Sequence, residues 1–236
     1  MSKSTTNTQE LLGVGLYAVP DAARLLQMPA INVRRWLGGY WYSRRGERYA
    51  VPPLWSPELP NFDDKIELSF RDLIELRFVN AFVKAGLGLK TIRHCLDFAR
   101  DVVDNDRPFS TSRFRTDGRT IFLESIEREA DSEAKLLDLK RHQYAFSKVL
   151  ERSFKDLDLE GNEVTRWRPY KGRDTVVIDP QRAFGQPIAA DFGVPTIALA
   201  EAVEAEGSAE RVAALYEVSI EAVRDAVKFE QELRAA

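Results

Sequence analysis

A chain of 236 residues, 44% hydrophobic and 30% charged, is long enough for one large domain or two to three small ones, and its balance excludes a disordered chain and a membrane-spanning one. One cysteine, Cys95, and two histidines, His94 and His142, exclude a disulfide framework and Cys/His metal sites, and nothing in the sequence calls for a cofactor. The net charge of −3 conceals an asymmetry: residues 15–56 hold six Arg against one Asp and one Glu, residues 57–173 balance 22 basic against 22 acidic, and residues 174–236 carry five basic and twelve acidic.

Residues 1–14 read as a polar lead-in with no apolar core of signal-peptide type, an expectation of a chain that stays in the cytoplasm and away from membranes. Pro20 then opens a short helix carrying Ala22, Ala23, Leu25 and Leu26, and a second runs from about Ala30 to Leu37, where Gly38-Gly39 stop it. Two short helices and a tight turn have helix-turn-helix geometry. On the second helix Val33, Trp36 and Leu37 share one side, which directs Arg34 and Arg35 outward and leaves Asn32 near the edge. The following YWYSRRGERYAV reads as a hairpin turning at Arg44-Arg45-Gly46-Glu47. A hairpin in that place is a wing: Arg44, Arg45 and Arg48 are set to meet phosphates or a minor groove while Asn32, Arg34 and Arg35 read the major groove. The alternative is a small core of Trp36, Tyr40, Trp41, Tyr42 and Trp55 that the arginines keep soluble.

The winged helix-turn-helix domain, with a helical extension, is predicted over residues 15–130. Within it, residues 66–103 read as two helices broken at Gly86-Leu87-Gly88, the first capped by Ser69. His94 reads as structural or exposed and Cys95 as a small buried residue. Residues 107–123 read as a second hairpin turning at Thr116-Asp117-Gly118, with Arg107, Arg113, Arg115 and Arg119 making an exposed basic face. Residues 131–157 are helical in composition, with His142 solvated and Leu136, Leu139, Tyr144, Phe146 and Phe154 among the apolar positions, and suit subunit pairing. Residues 158–174, with Gly161, Pro169 and Gly172, read as a polar linker. The remaining module, 175–236, begins with a strand at Val176–Ile178 and ends in three helices started by Thr196, Ser208 and Ser219. Its acidity assigns it to protein contacts, because phosphate would repel it. The fold class expected is mainly α with short β-hairpins: an amino-terminal winged helix-turn-helix domain, a middle helical segment and a small carboxy-terminal three-helix module with a short strand. No G-x-S-x-G, G-x-G-x-x-G or G-x-x-x-x-G-K-[ST] motif is present, which argues against an enzyme.

IDPQRAFGQPI, GVPT and RVAALYEVSIEAVRDAVKFE resemble the small domain-of-unknown-function module of bacterial antitoxins encoded beside PIN-like toxins. Together with YAVPDAARLL and VRRWLGGY, they make nearly the whole chain resemble a VapB-type antitoxin of a type II toxin-antitoxin (VapBC-like) system, the amino-terminal helices being similar also to MerR-type regulators. The most specific pieces are Asp179-Pro180, Phe184-Gly185, Pro187 and Gly193-Val194-Pro195-Thr196, positions that shape turns, with Phe184 expected to pack. The resemblance implies a homodimeric repressor that binds double-stranded operator DNA through one end and neutralises a PIN-like ribonuclease toxin, encoded by an adjacent gene, through the other. An antitoxin of this kind can insert a basic side chain among the toxin's carboxylates, for which Arg211, Arg224, Lys228 and Arg234 are candidates. Two alternatives stand beside it: a MerR-like regulator whose carboxy-terminal module senses a small molecule, and a scaffold protein whose hairpin touches no nucleic acid.

Overall fold

Strand β1 (Tyr17–Ala18) leads straight into α1 (Val19–Leu25), where Pro20 occupies the first turn and needs no amide partner. A turn with Gln27 in the left-handed region connects it to α2 (Ala30–Gly38), which ends at Gly39, φ 70°. The computed structural model describes residues 13–60, 65–129, 143 and 146–235. Strands β2 (Tyr40–Arg44) and β3 (Glu47–Val51) pair antiparallel, Arg44 opposite Glu47. Arg45 and Gly46 both have positive φ, the requirement of a two-residue type I′ hairpin turn. Strand β4 (Glu67–Leu68) returns to pair with β1.

The first of the two middle helices, α3 (Phe70–Lys84), starts in a full capping box: the Ser69 hydroxyl accepts from the Asp72 amide and the Asp72 carboxylate accepts from the Ser69 amide. It is buried almost all round, so its apolar residues make a column rather than a stripe. Helix α4 (Leu89–Val103) follows the Gly86-Leu87-Gly88 break and ends at Asp104 in the left-handed conformation. After a 3-10 turn at Pro108–Ser110 the chain forms α5 (Ser112–Glu129), not the expected hairpin. Phe114, Gly118, Ile121, Phe122, Ser125 and Ile126 bury one face at helical spacing, and that periodicity overrides the local Thr-Asp-Gly turn signal. Gly118 belongs there because a β-carbon would press on Leu150 and the Phe114 ring. The helical residues 146–154, α6, bring Phe146 between the rings of Phe82 (4.6 Å) and Phe122 (3.9 Å), both nearly parallel to it. Leu136, Leu139, His142 and Tyr144, and with them most of the helix expected to pair subunits, lie outside the described residues.

Residues 158–174 are not a plain linker. They hold β5 (Leu157–Glu160) and β6 (Glu163–Trp167), which turn at Gly161 and join β7 (Val176–Ile178) and β8 (Pro187–Ala189) in a four-stranded antiparallel sheet of order β5-β6-β7-β8. Leu157, Val164 and Trp167 supply its buried side while the alternating charged residues face out, so the polar composition belongs to one face of a hairpin. Helices α7 (Thr196–Glu206), α8 (Ala209–Leu215) and α9 (Ile220–Arg234) follow; Ser208 and Ser219 cap the last two and Gly207, φ 68°, closes the first. They enclose a small core of Leu199, Val212, Val218, Val223 and Ala226. Phe229 and Leu233 of α9 instead join the main core with Tyr17, Leu25 and the phenylalanine column. The two ends of the chain therefore share one interior.

That junction is fastened by backbone contact. The Tyr17 hydroxyl donates to the Gly185 carbonyl (2.8 Å), and the Leu16 amide donates to the Phe184 carbonyl (3.1 Å). Gly185 has φ 80°, and a β-carbon on it would run into the Tyr17 hydroxyl. Gly185→Ala is expected to cost more than about 1 kcal/mol, read as a lowered melting temperature; an unchanged melt would mean that the loop yields freely.

Candidate nucleic-acid interface

Helix α2 buries Val33, Trp36 and Leu37, and the Leu54 amide donates to the Trp36 carbonyl, which fixes the helix against the strand return. Arg34 and Arg35 are exposed and Asn32 is half-buried, the disposition expected from the 3.6-residue period. Along the hairpin Arg44, Arg45 and Arg48 are all exposed, as are Trp41 (65%), Tyr42 and Tyr49. Of the aromatic set considered as a small core, only Trp36 and Trp55 are buried.

The strand register sorts these aromatics. Tyr42 and Tyr49 are cross-strand partners whose rings stack at 5.3 Å, whereas Trp41 alternates to the other face, where the Arg48 guanidinium lies 5.5 Å from its ring centre. Arg35 lies 5.2 Å over Tyr40 and so ties α2 to the hairpin. Between α2, the hairpin and the start of α4 opens a cleft of about 570 Å³ lined by Arg35, Tyr40, Tyr42, Lys90 and Arg93. Arg93 donates to the carbonyls of Pro52 (2.8 Å) and Pro53 (2.7 Å), locking α4 to the end of the hairpin. The amino-terminus of α4 carries no side-chain cap and no acidic residue in its first turn, so its partial positive charge adds to that of the arginines. Lys90 and Arg93 escape sequence reasoning because they lie some forty residues from the hairpin they join; the Gly-Leu-Lys at the start of a helix was their only local signal.

Arg107 does not belong to a basic face. It is 7% exposed, and its Nε donates to Asp72 Oδ1 at 2.7 Å while its Nη2 donates to the Ser56 carbonyl. Asp72 also accepts from Trp55 Nε1 (2.8 Å) and the Glu58 amide (2.9 Å). Arg113, Arg115 and Arg119 are exposed along α5. The thiol of Cys95 is buried, and burial pushes it up to about 12, so it is no nucleophile; His94 is exposed. Among the described residues no group of three or more His, Cys, Asp or Glu gathers to hold a metal ion, and no helix is long and apolar enough to cross a membrane.

At the other end Arg211, Arg224, Lys228 and Arg234 are all exposed. Arg224 pairs with Glu210 and Arg234 with Glu204, and the set spreads over α8 and nearly three turns of α9. Asp179 is buried; it accepts from Arg166 Nε and the Gln181 amide, which accounts for the Asp-Pro of the motif as a turn former. Thr196 donates to the buried Glu230 and so joins α7 to α9. Phe184, expected to pack, is 55% exposed: positive φ at Ala183, Phe184 and Gly185 turns its ring outward.

No family model matches the chain. It is 26% identical over 226 residues to a protein of Mycobacterium tuberculosis H37Rv named "Putative antitoxin VapB45", the match covering 91% of this chain and 93% of that protein. Its fold is similar to the crystal structure of Rv2018 from Mycobacterium tuberculosis, with a TM-score of 0.72 and 25% identity over 92% of this chain and 99% of that one. The likeness is too broad to leave out either end: the helices and hairpin of the amino-terminal part and the strands and helices of the carboxy-terminal part are both within it.

Proposed function

We propose that the protein is the antitoxin of a type II toxin-antitoxin pair, a cytoplasmic homodimer that represses its own operon and neutralises a PIN-like ribonuclease toxin. The observation that carries this reading is the segregation of charge along the chain: a basic aromatic cleft in the amino-terminal part and acidic helices in the carboxy-terminal part, in a chain similar over 91% of its length to a protein named as an antitoxin. In this reading α1, α2 and the hairpin act as a MerR-like winged helix-turn-helix, with α2 in the major groove and Arg44, Arg45 and Arg48 on phosphates. The start of α4, held against the hairpin by Arg93, supplies a further phosphate contact with Lys90.

Arg34→Ala or Arg35→Ala is expected to weaken operator binding by about 1–3 kcal/mol and to relax sequence preference, whereas Arg44→Ala weakens all sequences alike and lowers the salt slope by about 1. Anisotropy titrations at several salt concentrations, on the inverted repeat upstream of the gene, separate the two effects. Parental affinity in an Arg34→Ala/Arg35→Ala double variant would remove α2 from the groove. The antitoxin role is tested by co-expression with the neighbouring reading frame: a stable complex in which RNA cleavage is suppressed is expected.

A second reading, a MerR-like regulator with a small-molecule effector, is favoured by a polar cleft of about 540 Å³ between α3 and the sheet, lined by Arg71, Glu163, Arg166, Asp179 and Gln181. Operator affinity that changes with a metabolite, and no complex with the neighbouring gene product, would move it to first place.

A further inference from the structure

We propose that Phe184 is the anchor through which the toxin docks, together with the cleft beside it; this rests on the antitoxin reading above. The partner so recognised is a protein surface offering an apolar pocket for one aromatic ring, rimmed by basic side chains.

The argument begins with a cost. Ala183 and Phe184 hold φ of 46° and 54°, where a β-carbon is strained. A glycine would adopt this conformation freely, yet position 184 carries a large apolar ring that is 55% exposed. Neither the strain nor the exposure helps the isolated fold. Each is expected of a residue displayed for a partner.

The display is rigid. Asp179 and Arg182 close the loop from below, the Gly185 amide donates to the Arg182 carbonyl (2.9 Å), the Gln186 amide donates to the Ala183 carbonyl (3.0 Å), and Arg182 Nη1 donates to the Ala190 carbonyl (2.7 Å). With Tyr17 holding the Gly185 carbonyl, the ring is presented by a preorganised loop, which spares a partner the cost of ordering it. Leu16, 44% exposed, lies against the same backbone and extends the apolar patch. Next to it a cleft of about 240 Å³ opens between α1, α7 and α9, with Leu16, Leu25, Ile197 and Leu233 in its walls and Asp21, Arg24 and Glu230 beside them. Along α7 the residues one and two turns beyond Ile197 are Glu201 and Glu204, both exposed; Glu204 pairs with Arg234 and Glu230 lies in the cleft wall, so three carboxylates face one cation there and the flank is net acidic. That charge selects a partner with a basic rim.

The surface crosses the junction between the two ends, since Leu16 and Leu25 come from the amino-terminal part and Phe184 and Ile197 from the carboxy-terminal part. None of Arg211, Arg224 and Lys228 lines the cleft, and Arg234 stands at its flank on Glu204.

The test uses the full chain and the purified product of the neighbouring gene, with toxin affinity measured by calorimetry, stability by thermal melting and association state by sedimentation. Phe184→Ala and Phe184→Gly are expected to weaken toxin binding at least tenfold with operator affinity unchanged. Phe184→Gly is also expected to melt at or above the parental temperature, a combination that a merely structural Phe184 would not give. Parental toxin affinity in both variants overturns the inference and leaves the antitoxin reading intact. Loss of self-association with toxin binding retained assigns the patch to a second copy of the chain and overturns it as well. No toxin binding by the parental protein overturns the antitoxin reading, and the inference falls with it.

Discussion

Arg107→Ala is expected to destabilise the protein by about 3–5 kcal/mol, the cost of leaving one member of a buried ion pair without its partner. Asp72 is fully buried, and Arg107 neutralises it at 2.7 Å. Four segments meet on that carboxylate: the cap of α3, the Trp55 indole, the Glu58 amide and the Arg107 loop. The guanidinium also lies 5.7 Å over the Trp55 ring, so its loss removes packing as well as charge. Removing the cation leaves the three remaining donors to carry a full negative charge away from water. Urea denaturation followed by tryptophan fluorescence reads the loss, and Arg113→Ala on the exposed side of α5 serves as the control, expected within about 0.5 kcal/mol of the parent. A cost for Arg107→Ala no larger than that of the control would mean that water reaches Asp72.

Glu75→Gln is expected to stabilise the protein by roughly 3 kcal/mol above neutral pH and to leave it nearly unchanged below pH 4.5. The Glu75 carboxyl is fully buried, and burial pushes it up to about 7 from its ordinary 4.5. One oxygen accepts from the Ser110 amide at 2.8 Å; the other has no hydrogen-bond partner among the described residues. The folded protein therefore keeps a proton that the unfolded chain releases above pH 4.5. Stability is greatest below that value, falls as pH rises from 4.5 to about 7, and levels off once the folded form has ionised too. Glutamine preserves the acceptor for Ser110 and cannot ionise, so the difference between variant and parent should open across the same interval. A difference that stays flat from pH 4.5 to 8 would show that Glu75 is not the group responsible.

These two residues also mark the limit of what can be read from the chain alone. Capping signals are local, and Ser69, Gly207, Ser208 and Ser219 bound their helices where the sequence places them. The outward arginines of α2 follow from period alone. Asp72 and Arg107 are 35 positions apart, and nothing in either neighbourhood announces the other, so Arg107 reads as surface charge. The segment 158–174 misleads for a related reason: its glycines and charges form the turn and outer face of a strand pair whose apolar side is visible only once β7 lies beside it. In α5 the turn-like Thr-Asp-Gly outweighs a helical face whose aromatic partner, Phe146, comes from elsewhere in the chain. Phe184 fails differently. An apolar residue in a motif is expected inside, and only the sign of its φ reveals that the ring points out.

The hydrogen bond from Tyr17 to Gly185 spans 168 positions, and it bears on the order in which the protein is made. Residues 15–60 leave the ribosome well before Phe229 and Leu233, with which they share the main core. A nascent chain that ends before residue 185 has the hairpin and α2 but neither the strap that holds β1 nor the side chains that α9 adds to the shared core. Closure of the core around the amino-terminal part is thereby made contingent on synthesis of α9.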